Sequence, residues 1–195
     1  MSYPVILPAL FTVAMVELGG ATAQFSGSLV DGGTDDRTAF RALGIISAGV
    51  MVMAAIGARA ISSVDDLIPQ LKTLMLGMAL IWASIGLFRV IKPASTVEGQ
   101  NHNVIALRGY ARLALTGSAG FLAFVWGVIG GSAIDAVIEA ALGGWIGIMA
   151  ANVPQLLLTK RQIRKMHIHW LRIASGTVLA IVGFFYSLSA IGLLR

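Results

Sequence analysis

The chain of 195 residues has no cysteine and only five prolines, and its charged residues make up 12% of its length. Soluble globular domains carry about a quarter charged residues, roughly twice this supply. The missing cysteines exclude a disulfide scaffold, thiolate-bound metal and thiol chemistry. Scarce charge beside 57% hydrophobic residues and a mean hydropathy of +0.85 excludes both disorder and an ordinary soluble fold. What remains is an all-α integral membrane protein whose first partner is the lipid bilayer.

Apolar runs divide the chain into six expected spans. They run from about Pro4 to Gln24, Arg41 to Arg59, Leu67 to Ile91, Leu113 to Ile134, Ala140 to Thr159 and Ile173 to Leu194. Each approaches the ~20 residues a helix needs to cross ~30 Å of hydrocarbon. The runs are continuous and lack the period-two alternation of a membrane β-barrel. A signal peptide is disfavoured, although Ala21-Thr22-Ala23 resembles a cleavage site. No basic segment precedes it, and Pro4, Pro8 and Glu17 interrupt the apolar run.

Basic residues set the expected orientation. Arg37, Arg41, Arg89, Lys92, Arg108, Arg112, Lys160, Arg161, Arg164, Lys165 and Arg172 flank loops one, three and five. Arg59, Lys72 and Arg195 fall on the other side. This bias makes loops one, three and five cytoplasmic and places both termini outside. The basic fifth loop reads as an anchor near anionic lipid, with no nucleic-acid partner. A bacterial inner membrane is the expected location.

Three spans, a polar loop and three more spans suggest a duplication. Residues 1–91 would form the first three-helix repeat, 92–108 a central cytoplasmic loop and 109–195 the second repeat. An odd number of spans per half inverts one half relative to the other, as in many transporters. Gly49-Val-Met-Val-Met-Ala54 echoes Gly147-Ile-Met-Ala-Ala-Asn152. The glycine pairs Gly127/Gly131 and Gly143/Gly147 have the spacing of close helix packing.

Polar groups at membrane depth are the candidates for function. Glu17 lies mid-span in Val16-Glu-Leu-Gly-Gly-Ala-Thr-Ala-Gln24, where adjacent glycines permit a helix break. Glu17, Thr22 and Gln24 bear oxygen, the ligand type of hard cations, and Glu17 is the candidate metal ligand. The competing role for Glu17 is a protonated carboxyl bonded to a neighbouring helix. Asn152 joins the candidate cation- or proton-binding set, or else repairs the backbone donor missing at Pro154. Asp135 and Glu139 are expected in an exposed linker before the fifth span. His167 and His169 lack a third ligand and are expected in a solvated interfacial loop, with Trp170 as an interfacial anchor. No P-loop, serine triad, zinc-protease helix or dinucleotide fingerprint is present, so neither enzyme activity nor a cofactor is expected.

With its span spacing and central polar loop, the chain resembles the Golgi-type calcium/manganese–proton exchangers and their bacterial manganese-exporter branch. In that family each of two inverted three-span repeats opens with a Glu-x-Gly-Asp-(Lys/Arg)-(Ser/Thr) motif. Gly143-Gly-Trp-Ile-Gly-Ile-Met-Ala-Ala-Asn-Val-Pro154 and Trp170-Leu-Arg-Ile-Ala174 are similar to the fifth span and the segment after it. Glu17-Leu-Gly19-Gly20-Ala21-Thr22 keeps the Glu, Gly and Thr positions but has Gly20 for the acid. Ser118-Ala-Gly120-Phe121-Leu-Ala123 keeps only the glycine, with Phe121 for the acid.

The resemblance implies a cation/proton exchanger with a midplane site centred on Glu17, carrying manganese, calcium or a monovalent cation. The alternative is a transport-inactive relative serving as an accessory or structural subunit of a larger membrane complex, or as a homo-oligomer. One carboxylate leaves a dehydrated divalent cation uncompensated in low dielectric.

Overall fold

The structure is a computed structural model. It describes residues 5–18, 20, 36–61, 69–88, 117–131, 133–159 and 165–193. The described residues form six helices and no strand: α1 Ile6–Glu17, α2 Asp36–Ile61, α3 Pro69–Phe88, α4 Ser118–Gly130, α5 Ile134–Thr159 and α6 Lys165–Ala190. Four of them, α2, α3, α5 and α6, are long and apolar enough to cross a membrane. With 12 and 13 residues, α1 and α4 extend only about 18–20 Å at 1.5 Å per residue.

Several expected boundaries move. α1 stops at Glu17 instead of reaching Gln24. The next backbone bond, from Gly20 N–H to Glu17 C=O at 3.3 Å, is one residue tighter than a helical bond. α4 ends at Gly130, because Gly131 takes a φ of 76°, a left-handed conformation that side chains rarely adopt. α5 therefore begins at Ile134, and Asp135 and Glu139 lie in its first turns, where a linker was expected. α6 begins at Lys165, so His167 and His169 belong to a helix rather than a loop. The central loop 92–108 lies outside the described residues.

Each helix packs most extensively against one from the other half of the chain: α1 on α5, α2 on α4 and α3 on α6. The two halves thus interdigitate. Glycine makes these approaches close. A Cβ on Gly143 would stand 2.5 Å from the Ile6 carbonyl oxygen, and one on Gly147 2.7 Å from that of Leu10. Gly57 and Gly127 bring α2 and α4 together in the same way, against the carbonyls of Phe124 and Ala54. On α3 and α6, Gly77 and Gly183 face each other's backbone. Lipid tails are as apolar as leucine, so small residues that allow backbone contact are what drive helices together in a bilayer. Gly131 has open space around it and does not extend the Gly127 contact.

These contacts also give helix directions. The Val5–Glu139, Leu10–Gly147 and Glu17–Asn152 contacts ascend together, so α1 and α5 run parallel. Gly77 meets Ser187 while Gly176 meets Phe88, so α3 and α6 run antiparallel. The interior holds small and aliphatic side chains, among them Ala9, Val13, Val50, Leu80, Ala123 and Ile148. Outward-facing positions are also apolar, as at Phe11, Val52, Met78, Trp82 and Phe184. Together with the helix lengths, this apolar exterior indicates an integral membrane protein.

Candidate functional site

The first turn of α1 contains Pro8, tolerated there because the first helical N–H groups have no intrahelical partner. Val5, at the N-cap, has no capping side chain. Its N–H is taken by the Glu139 carboxylate of α5 at 2.7 Å. A negative group at a helix N-terminus also complements the helix dipole. From this anchor the Gly143 and Gly147 contacts hold α1 against α5 down to its last residue, Glu17.

There the structure brings together two of the four sequence candidates. Asn152 Nδ2 donates to Glu17 Oε2 at 3.0 Å and to the Ile148 carbonyl at 3.0 Å. Glu17 is 3% exposed and Asn152 is fully buried. The amide orientation follows from these acceptors, because both donor directions point at oxygen. The other face of the amide, Oδ1, is buried with no hydrogen-bond partner. An unsatisfied buried acceptor costs about 1–3 kcal/mol. Thr22 and Gln24 lie outside the described residues.

Asn152 does not answer the backbone donor missing at Pro154 in the expected way. The missing proline N–H would have reached the carbonyl of residue 150, four positions back. Asn152 instead donates to residue 148 and across to α1.

A second polar contact, missed in the sequence, lies between α1 and α4. Trp126 donates its indole N–H to Thr12 Oγ1 at 2.8 Å, and Thr12 donates to the Pro8 carbonyl at 2.8 Å. An indole N–H deep in an apolar helix needs an acceptor, and this requirement was the available signal. Phe121, which the resemblance expected in place of an acid, turns away to the surface. It is 39% exposed and meets the Trp82 ring edge-on, with centroids 5.3 Å apart. Leu122, beside it, is fully buried in the core.

Chemically, the α1–α5 junction offers a carboxylate and an amide oxygen, both hard donors suited to a cation or a proton-bearing group. Among the described residues, no three His, Cys, Asp or Glu side chains are grouped to hold a metal ion.

Fold and site define a class: an all-helical, membrane-type bundle with a buried carboxylate–amide pair at a helix break. No family model, curated protein or solved structure matches the chain.

Proposed function

We propose that the chain is a secondary transporter built as two inverted three-helix repeats, with a cation- or proton-binding site at Glu17. The observation that carries this reading is the buried Glu17–Asn152 pair at the end of α1. Buried ionisable groups at membrane depth mark ion pathways and proton relays.

The pattern of packing supports the repeat. Exchanging α1 with α4, α2 with α5 and α3 with α6 turns the α1–α5 pair into α4–α2 and leaves α3–α6 unchanged. The three most extensive helix pairs are thus related as an inverted repeat requires. Alternating passage of six helices also agrees with parallel α1 and α5 and antiparallel α3 and α6. In this arrangement Arg37, Arg41 and Arg172 share the cytoplasmic side, while Arg59, Lys72, Asp135 and Glu139 lie opposite. Measured from the Val5–Glu139 level, Glu17 stands twelve residues down α1. That is about 18 Å, somewhat beyond the middle of a ~30 Å hydrocarbon layer.

A second reading is favoured by the burial of Glu17 beneath Asn152. Here the same scaffold is transport-inactive and serves as a subunit of a larger membrane assembly. Proteoliposome ion flux with wild type and Glu17→Gln separates the two. Flux lost in Glu17→Gln supports transport at Glu17; equal flux in both overturns the assignment of the site. Absence of flux together with stoichiometric co-purification of a membrane partner establishes the second reading.

A further inference from the structure

We propose that α3 and α6 slide as one rigid pair against a body formed by α1, α2, α4 and α5, and that this motion uncovers the last turn of α1. Two kinds of helix contact divide the molecule in this way. Inside each part, backbone meets backbone at glycine. In the body, Gly143 and Gly147 seat α5 on the Ile6 and Leu10 carbonyls of α1, and Gly57 and Gly127 seat α2 and α4 on each other. In the pair, a Cβ on Gly77 or on Gly183 would stand 2.8 Å from the other's carbonyl oxygen. A slide of one residue would bring a side chain to a place where only glycine fits, and backbone cannot swing aside. Hydrogen bonds add to the body: Glu139 and Asn152 of α5 and Trp126 of α4 all bond to α1.

The boundary is built differently. α3 meets the body most extensively through α4, and α3 and α6 make smaller contacts with α1. Where α3 meets α4, side-chain ends touch. The Trp82 and Phe121 rings meet edge-on at 5.3 Å, and both are exposed. A Cβ on Gly86 would stand 3.1 Å from the Ser118 hydroxyl oxygen, the end of a side chain rather than backbone. Rings and hydroxyls change rotamer as packed helices slide, which is how shear motions proceed. The Gly86–Ser118 contact also lies at the depth of Glu17. Gly144 faces Ala123 while Gly130 meets Ala136, so α4 and α5 run antiparallel. Ser118 then stands level with residue 149, about 4.5 Å along α5 from Asn152 and its bond to Glu17. The division treats both halves of the chain alike, since each gives its first two helices to the body and its third to the pair. A motion shared by two inverted repeats needs this property.

The chain has no cysteine, so engineered disulfides form without competition. In a disulfide a Cβ lies about 3 Å from the partner sulfur. Gly86→Cys with Ser118→Cys meets this across the boundary. Gly144→Cys with Val50→Cys meets it inside the body, where a Cβ on Gly144 would stand 2.9 Å from a Val50 methyl. With the full chain in nanodiscs, hydrogen–deuterium exchange over residues 12–18 is read for each variant oxidised and then reduced. Locking the boundary should slow exchange several-fold, and reduction should restore it. Locking the body should leave exchange unchanged. Equal exchange in the oxidised and reduced boundary variant overturns the proposed motion, as does equal slowing by the body disulfide.

A second measurement needs no disulfide. Spin labels are placed on cysteines at the exposed positions Val52, Leu142, Met78 and Ile181, two at a time. Val52 with Leu142 reports within the body, Met78 with Ile181 within the pair, and Val52 with Met78 across the boundary. Double electron–electron resonance should give a split or several ångströms broader distance distribution for the last. Equal widths in all three overturn the motion even where a disulfide variant fails to fold. Neither readout measures flux, so the motion stands or falls apart from the transport reading.

Discussion

Trp126 and Thr12, 114 residues apart, are joined by a buried 2.8 Å hydrogen bond that ties α4 of the second half to α1 of the first. Thr12 bonds back to the Pro8 carbonyl, so one hydroxyl serves as acceptor for the indole and donor to its own helix. Thr12→Val keeps the shape and removes the acceptor. It should destabilise the protein by about 1–2 kcal/mol, the range for a buried donor left unpaired in a membrane-embedded bundle. Thermal unfolding in detergent, followed by tryptophan fluorescence, checks this; an unchanged midpoint would show that the bond contributes nothing.

The α1–α5 contact depends on the absence of side chains at Gly143 and Gly147, both of which face backbone atoms of α1. Gly147→Leu should separate the helices and lower stability by several kcal/mol, because the obstruction is backbone and cannot swing aside. Gly44 has nothing within 4 Å of a built Cβ, and Gly44→Ala should be neutral or stabilising by up to about 1 kcal/mol. Comparable losses in both variants would argue against glycine-mediated packing.

Glu139 supplies the cap that Val5 lacks. Glu139→Gln keeps an acceptor oxygen and should cost little, whereas Glu139→Ala should cost about 1 kcal/mol and loosen the first turn of α1. Hydrogen–deuterium exchange over residues 5–9 reads this directly. Equal exchange in wild type and Glu139→Ala would remove the cap from the account of α1.

Because the chain has no cysteine, single cysteines report sidedness without background. The proposed topology, with loops one, three and five cytoplasmic, predicts that Asp135→Cys reacts with a membrane-impermeant maleimide in intact cells. Lys160→Cys should react only after permeabilisation. The opposite pattern would invert the topology.

Much of the helical plan was legible in the linear pattern. The charge-free run between Lys72 and Arg89 locates α3, and the interval from Arg41 to Arg59 lies within α2. Apolar length suffices for this, since a chain in lipid must satisfy its backbone within each segment. The break after Glu17 was suggested by the adjacent glycines. Asp135, Glu139, His167 and His169 were misplaced because polarity suggested loops. Helices α5 and α6 extend past their apolar stretches at one end, where polar residues at a water-facing terminus do not interrupt helical hydrogen bonding.

Composition and apolar run length determined that the protein is helical and membrane-type, because both are sums over local properties of the chain. They also singled out Glu17 and Asn152 as separate polar residues amid apolar ones. Their meeting across 135 residues of sequence, the Val5 cap from Glu139 and the turning of Phe121 toward Trp82 were decided only by tertiary packing. Each depends on which glycine faces which backbone, and that register is set by contacts between segments distant in sequence.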